Sequence, residues 1–323
     1  MHLVLSIAGG ALDSLGRVSA AALAVALALH VLKVLAEARS WHTIVRHAYP
    51  RAGVTFGTTF GGFAGAIGAN TILPARIGET LRLGVLRRRV PGSSTATIAT
   101  TIVLEGAVEM IFGIAVIAVV LVAGRSLGTS GSPLSGLRSP GAHPLALALS
   151  LVVLGGLAVV AALQRRRLRS LGAKMAQGAS ILRSTRAFVC GVLGWKLVAW
   201  ALRLATVYWF LVAFHLTAGI WAVLLVVATQ SAVSVLPISP GNAGTQQAAF
   251  MVVLAGSGSM GAVLGFGVGM QAALVVVDLM IGGAALWLVA PRVDLAASLG
   301  TVRAFGRRSH SGGLQASRRT LRS

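Results

Sequence analysis

Thr97-Ile-Ala-Thr-Thr-Ile-Val-Leu-Glu105-Gly-Ala-Val-Glu109-Met-Ile-Phe-Gly-Ile-Ala-Val-Ile-Ala-Val-Val-Leu-Val-Ala123 decides the fold. The stretch is apolar except for two carboxylates and a few small polar residues. It exceeds the ~20 residues a helix needs to cross the ~30 Å hydrocarbon core of a bilayer. Glu105 and Glu109 are four apart, so one helix face carries both. A charge at mid-bilayer costs at least ~2.5–3.5 kcal/mol on insertion scales, so it must face the protein interior and find a partner. One segment thus implies both a membrane span and a polar interior.

The same pattern extends outward. Val18–Glu37, Pro144–Leu163, Phe188–Phe214 and Ala262–Ala290 are further clear spans, and Ala218–Pro237 is long enough to be one. The chain has 323 residues, 56% of them hydrophobic and 11% charged. A soluble globule carries roughly 25% charged residues. The expected fold is all-α, a polytopic transmembrane helical bundle with about 6–8 membrane segments. Residues 1–17 form an N-terminal segment, 18–290 the membrane domain and 291–323 a basic cytoplasmic tail. Met1–Leu12 is apolar but too short to span, and without leading basic residues it makes a poor signal peptide. The lone cysteine, Cys190, excludes an intramolecular disulfide.

The net charge of +21 falls in short clusters between apolar runs. That placement fits cytoplasmic loops and anionic headgroups as partners rather than nucleic acid. Arg165, Arg166, Arg167, Arg169, Lys174, Arg183 and Arg186 form one cluster, and the tail forms another; both are expected in the cytoplasm. The Gly/Ser/Pro-rich loop Gly124–His143 is expected outside. Arg39, Arg46 and Arg51 precede the Gly/Ala/Thr-rich segment Gly53–Ile72, and Arg82, Arg87, Arg88 and Arg89 follow it. Two cytoplasmic flanks require a hairpin that enters and leaves on one face. Residues 218–256 contain no Lys or Arg, which suits a hairpin of the opposite sense. The two would form an inverted re-entrant pair around a cavity, since non-helical backbone survives at membrane depth only where protein or water covers it. The alternative at 218–256 is two ordinary spans.

Three groups of residues could carry chemistry. The first is Asn70-Thr-Ile-Leu-Pro74-Ala-Arg76-Ile-Gly78-Glu79-Thr-Leu-Arg82. Pro74 suits the first turn of a helix, and Arg76, Glu79 and Arg82 would then share a face. This is either an anion site at a helix start or a headgroup-level cap with snorkelling arginines. The second is Leu236-Pro237-Ile-Ser239-Pro240-Gly241-Asn242-Ala-Gly244-Thr245-Gln246-Gln247. It breaks an apolar run without charges and precedes Gln246–Gly256, which is too short to span. A broken helix lining a cavity is favoured over a connecting turn, with Thr245 as a candidate cap. The third group is the intramembrane charges Glu105, Glu109, Lys196, Arg203 and Asp278. The carboxylates should pair with Lys196, Arg203, Arg76 and Arg82, either as structural ion pairs or as a polar path for a charged substrate or proton. Scattered histidines and a single cysteine give no metal-ligand spacing. No phosphate-binding loop for ATP is present, and no cofactor is called for.

The motif NTILPARIGETLR resembles the signature of the lysylphosphatidylglycerol synthase transmembrane-region family, also called flippase-like. LPISPGNAG resembles the family's second Pro-Gly motif. Val103-Leu-Glu105-Gly-Ala-Val-Glu109 stands where the family has a Glu-Arg pair followed by an acidic residue. The resemblance covers roughly residues 18–290. Gly106 stands where an Arg is usual, and Gln246 and Gln247 stand where an acidic residue often follows. A first span common in the family is missing or reduced to Met1–Leu12.

The family's synthases carry a soluble domain that attaches lysine to phosphatidylglycerol; this sequence is expected not to be a synthase, so the resemblance implies a non-enzymatic protein of the cell membrane. Its implied work is to translocate or present a phospholipid or lipid-linked sugar. Arg76 and Arg82 would hold the phosphate, Glu79 would hold the arginines, and Asn70, Pro74, Gly78, Pro240, Gly241 and Gly244 would line the path. The alternatives are a non-transporting partner of a membrane glycosyltransferase and a secondary transporter of a small anion.

Overall fold

A computed structural model describes residues 2–73, 77–126, 172–235 and 244–289. The described residues are helical with no strand. Four helices are long and apolar enough to cross a membrane: α2 (Ala20–Ala48), α5 (Thr95–Ser126), α7 (Thr185–Ala213) and α10 (Met260–Val289). The chain is therefore an all-α, multi-pass membrane protein. The expected span Pro144–Leu163, the external loop beyond Ser126 and the basic tail lie outside the described residues.

Each long helix starts or ends somewhat beyond its expected bounds. Ser19, in extended conformation, accepts from the backbone N–H of Ala22 and starts α2. The helix then continues past Glu37 to Ala48. Arg39 and Arg46, seven apart, project outward while Trp41, Ile44, Val45 and Ala48 are buried, so the charges decorate one face without stopping the helix. α7 contains a π turn, Val189–Leu193. The Val192 carbonyl there accepts from the Ser40 hydroxyl of α2, and α2 and α7 pack along much of their lengths. Such bulges often accompany functional sites, and Lys196 follows within a turn.

The segment expected as a hairpin forms α3 (Phe56–Ile72) and α4 (Gly78–Arg89), which fold back on one another. With 17 and 12 residues, they reach about 26 and 18 Å, short of a ~30 Å core. Thr55 starts α3 through its hydroxyl, which accepts from Thr58 N–H. The glycines of α3 let it approach α10 backbone to backbone: a Cβ on Gly68 would lie 3.1 Å from the Asp278 carbonyl and 3.2 Å from Gly282 Cα. The side chain of Asp278 is positioned from this contact.

α4 begins at Gly78, and the Asn70 side-chain oxygen accepts from Gly78 N–H at 2.7 Å. Gly78 packs so tightly on α3 that a methyl there would collide with the Ala66 carbonyl and the Asn70 side chain. Pro74 and Arg76 lie outside the described residues.

Ala218–Pro237, expected to be long enough to span, forms the 16-residue helix α8 (Ile220–Val235). It begins only after the turn through Thr217–Gly219, and Leu236 and Pro237 at the other end of the expected span lie outside the described residues. α9 (Thr245–Val253) packs against it. The cap of α9 is Gly244, not Thr245. Its φ of 85° is a backbone conformation that favours glycine, and its N–H donates to the Gln247 side chain at 2.7 Å. Pro240 and Gly241 lie outside the described residues. The N-terminal residues form α1 (His2–Gly16), which packs along α10, and α6 (Gly172–Gly178) packs against α5.

Candidate functional site

Helices α2, α3, α4, α5, α7, α8 and α10 enclose a cavity of about 710 Å³. Five of the chain's seven acidic residues line it: Glu37, Glu79, Glu105, Glu109 and Asp278. Among the described residues, the fixed cations on its wall are Lys33, Arg82, Lys196 and Arg203. A chain of net charge +21 has thus gathered most of its carboxylates around one internal space. In hydrocarbon, such a concentration persists only if opposite charges interleave.

They do interleave. Glu79 Oε2 accepts from Arg82 Nη1 at 3.1 Å, and Arg82 continues to Glu105 Oε2 at 3.4 Å. Glu105 Oε1 accepts from Lys196 Nζ at 2.6 Å, and Lys196 reaches Glu109 Oε2 at 2.9 Å. Arg203 Nη1 lies 3.5 Å from Glu109 Oε1, and its Nη2 donates to the Gln230 side chain at 3.3 Å. This alternating ladder runs from α4 through α5 and α7 to α8. Glu105 and Glu109 sit four apart on α5, and Lys196 and Arg203 seven apart on α7, so each pair presents one face to the other helix.

Lys196 is 0% exposed. A bare ammonium there would be untenable, and its two carboxylates make its burial tolerable. Arg82 is likewise buried, with its guanidinium 4.1 Å from the Trp41 ring centroid and 4.7 Å from that of Phe63. A flat, weakly hydrated cation suits this slot between aromatic faces. Its Nη atoms are already committed to Glu79 and Glu105. A ligand phosphate would compete with these carboxylates for them. The outer members of the ladder are more accessible: side-chain exposure is 34% for Glu79, 32% for Glu109 and 21% for Arg203.

Asp278 departs from the pairing expected of it. Its partner among the described residues is His30, whose Nε2 lies 2.8 Å from Asp278 Oδ1, rather than Lys196, Arg203 or Arg82; Arg76 lies outside the described residues. The reason is placement. Asp278 emerges from α10 where that helix meets α3 and α2, while Lys196 and Arg203 face α5. His30, Lys33 and Glu37 were missed as cavity residues. Lys33 Nζ pairs with Glu37 Oε1 at 3.1 Å. The signal was available in their positions, because 30, 33 and 37 fall on one face of a helix.

Of the motif residues, Asn70, Glu79 and Arg82 line the cavity. Gly78 instead holds the α3–α4 turn, and Gly244 lies beside a separate, mostly apolar hollow between α9 and α10. There Gln247 donates to the Gln271 side chain.

These features define a class: a polytopic helical membrane protein built around an ion-paired, water-accessible internal cavity. The model of one family, lysylphosphatidylglycerol synthase TM region, matches residues 8–282, and the chain belongs to that family. Comparison with curated proteins and with solved structures finds no match.

Proposed function

We propose that this protein translocates or presents a phosphate-bearing lipid, phospholipid or lipid-linked sugar, across the cell membrane without altering it chemically. The observation that carries this reading is the cavity. It lies within the roughly 300–1,000 Å³ of small-ligand pockets, and its wall offers charged groups of both signs. A headgroup leaving water loses strong hydrogen bonds. Arg203 and Lys33 can replace them directly, and Arg82 can do so after Glu79 swings away. Membership of a lipid-handling family supports the same reading. On it, α3–α4 and α8–α9 are the two inverted re-entrant hairpins flanking the path.

Photo-crosslinking tests it. A phosphatidylglycerol carrying a diazirine on its headgroup is expected to label α5 and α7 at cavity-lining residues in proteoliposomes. Labelling confined to outward apolar positions such as Ile111, Trp195 and Val276 would overturn it.

A further inference from the structure

We propose that the headgroup taken by this cavity is polyhydroxylated, a sugar or cyclitol joined to its lipid through a phosphodiester. The inference rests on the lipid-handling reading of the cavity and names the headgroup class.

An ionised phosphodiester offers only acceptors, so it needs donors around it. Much of the described wall offers acceptors as well. Five of the chain's seven acidic residues line the cavity, and their ion pairs leave part of them uncommitted. His30 takes one oxygen of Asp278 and Lys33 one oxygen of Glu37. Among the described residues, no hydrogen bond reaches the second oxygen of either. Side-chain exposures of 18% for Asp278 and 10% for Glu37 keep both carboxylates open to the cavity. A phosphate gains nothing from them. A hydroxyl does, because it donates to a carboxylate in a charge-assisted bond roughly twice as strong as a neutral one.

The uncharged part of the wall has the same bias. Ser231 and Ser234 of α8 line the cavity, and each spends its hydroxyl proton on the backbone. Ser231 donates to the Val227 carbonyl and Ser234 to the Ser231 carbonyl, both at 2.8 Å. What they present to a ligand is therefore oxygen lone pairs. Asn70 of α3 supplies the complement. Its side-chain oxygen accepts from Gly78 N–H, which fixes the amide orientation and leaves the N–H2 group as the end that serves a ligand.

A hydroxyl both donates and accepts, so a ring of hydroxyls needs acceptors and donors interleaved around it. Asp278, Glu37 and the two serines supply acceptors, Asn70 and Lys33 supply donors, and Arg203 is left for the phosphate. These groups come from α2, α3, α7, α8 and α10, so they surround the space rather than stripe one side of it. A buried hydroxyl without a partner is costly, and a headgroup with several crosses only where such a set exists. A bare diester would use neither the serines nor the two carboxylates.

Calorimetric titration of the purified protein in neutral detergent tests this with three short-chain lipids of equal charge. Phosphatidylethanol, phosphatidylglycerol and phosphatidylinositol carry none, two and five headgroup hydroxyls. Each well-paired hydroxyl is worth roughly two- to tenfold in affinity. The expected order is inositol over glycerol over ethanol, with at least about tenfold between the ends. In Ser231→Ala/Ser234→Ala the inositol-to-ethanol ratio should shrink by at least about threefold. The ratio is internal to each protein, so a general loss of binding does not mimic it, and Ser234→Ala alone carries the same test if the double variant does not fold. A further arm uses glycerophosphoinositol, the same headgroup without acyl chains. Equal affinity for the three lipids overturns the hydroxyl reading and leaves the lipid reading intact. A ratio unchanged in the folded serine variant overturns the assignment to this wall. Glycerophosphoinositol bound as tightly as the lipid retains the polyol site and overturns the lipid reading. Binding of none of the four overturns both.

Discussion

Lys196 Nζ lies 2.6 Å from Glu105 Oε1 and 2.9 Å from Glu109 Oε2, so one fully buried ammonium joins two carboxylates a helical turn apart. The arrangement fixes the register of α7 against α5. It also explains why a hydrophobic span carries two glutamates.

Removing that ammonium should be costly. Lys196→Met would leave Glu105 with Arg82, and Glu109 with Arg203 and the Trp200 indole N–H. Breaking a buried pair in this way costs about 3–5 kcal/mol. Adding Glu105→Gln should restore part of the loss, because it removes a buried carboxylate that the first change deprived of its nearer cation. Unfolding of the single and double variants in the same detergent measures the coupling. Strict additivity would mean that the two groups do not interact.

Arg82 is held by a planar slot as well as by charge. Arg82→Lys keeps the positive charge but loses both the fork between Glu79 and Glu105 and the contact with the faces of Trp41 and Phe63. The expected cost is about 1–3 kcal/mol, a charge-assisted hydrogen bond plus part of a cation–π contact. Thermal unfolding checks it. A lysine variant as stable as the parent would show that the slot contributes nothing specific.

Two glycines of the same helix should respond oppositely. Gly78→Ala would push a methyl into the α3–α4 contact and should destabilise by about 1–3 kcal/mol. At Gly84, inside α4, a methyl meets no neighbour within 4 Å, so Gly84→Ala should be neutral or gain about 0.5–1 kcal/mol of helix propensity. Equal effects at the two positions would contradict the close turn at Gly78.

Much of this architecture could be read from residue order. The long apolar runs announced α2, α5, α7 and α10, and the spacing of Glu105, Glu109, Lys196 and Arg203 announced two facing charged stripes. Charge flanking Gly53–Ile72 pointed to a hairpin, and the chain does fold back there. What spacing could not give was which stripe faces which. Asp278 meets His30 because small residues draw α3 against α10, a consequence of packing between segments far apart in sequence. The start of α4 at Gly78 was also hidden, because a tertiary bond from Gly78 N–H to the Asn70 side chain marks it. The expected span ended at Glu37; the continuation of the helix to Ala48 places Lys33 and Glu37 within it, on the cavity wall.

The central claim is that the ion-paired cavity carries a lipid headgroup from one leaflet to the other, and leaflet exchange measures it most directly. Proteoliposomes containing tail-labelled fluorescent phosphatidylglycerol are treated with a membrane-impermeant reductant that destroys label in the outer leaflet. With wild-type protein, loss of signal is expected to continue past the outer-leaflet share as inner lipid arrives. Arg203→Gln, which removes the most accessible cation of the ladder, should slow that second phase at least about tenfold. A second phase no faster than in protein-free vesicles, or one unchanged by Arg203→Gln, would contradict the claim.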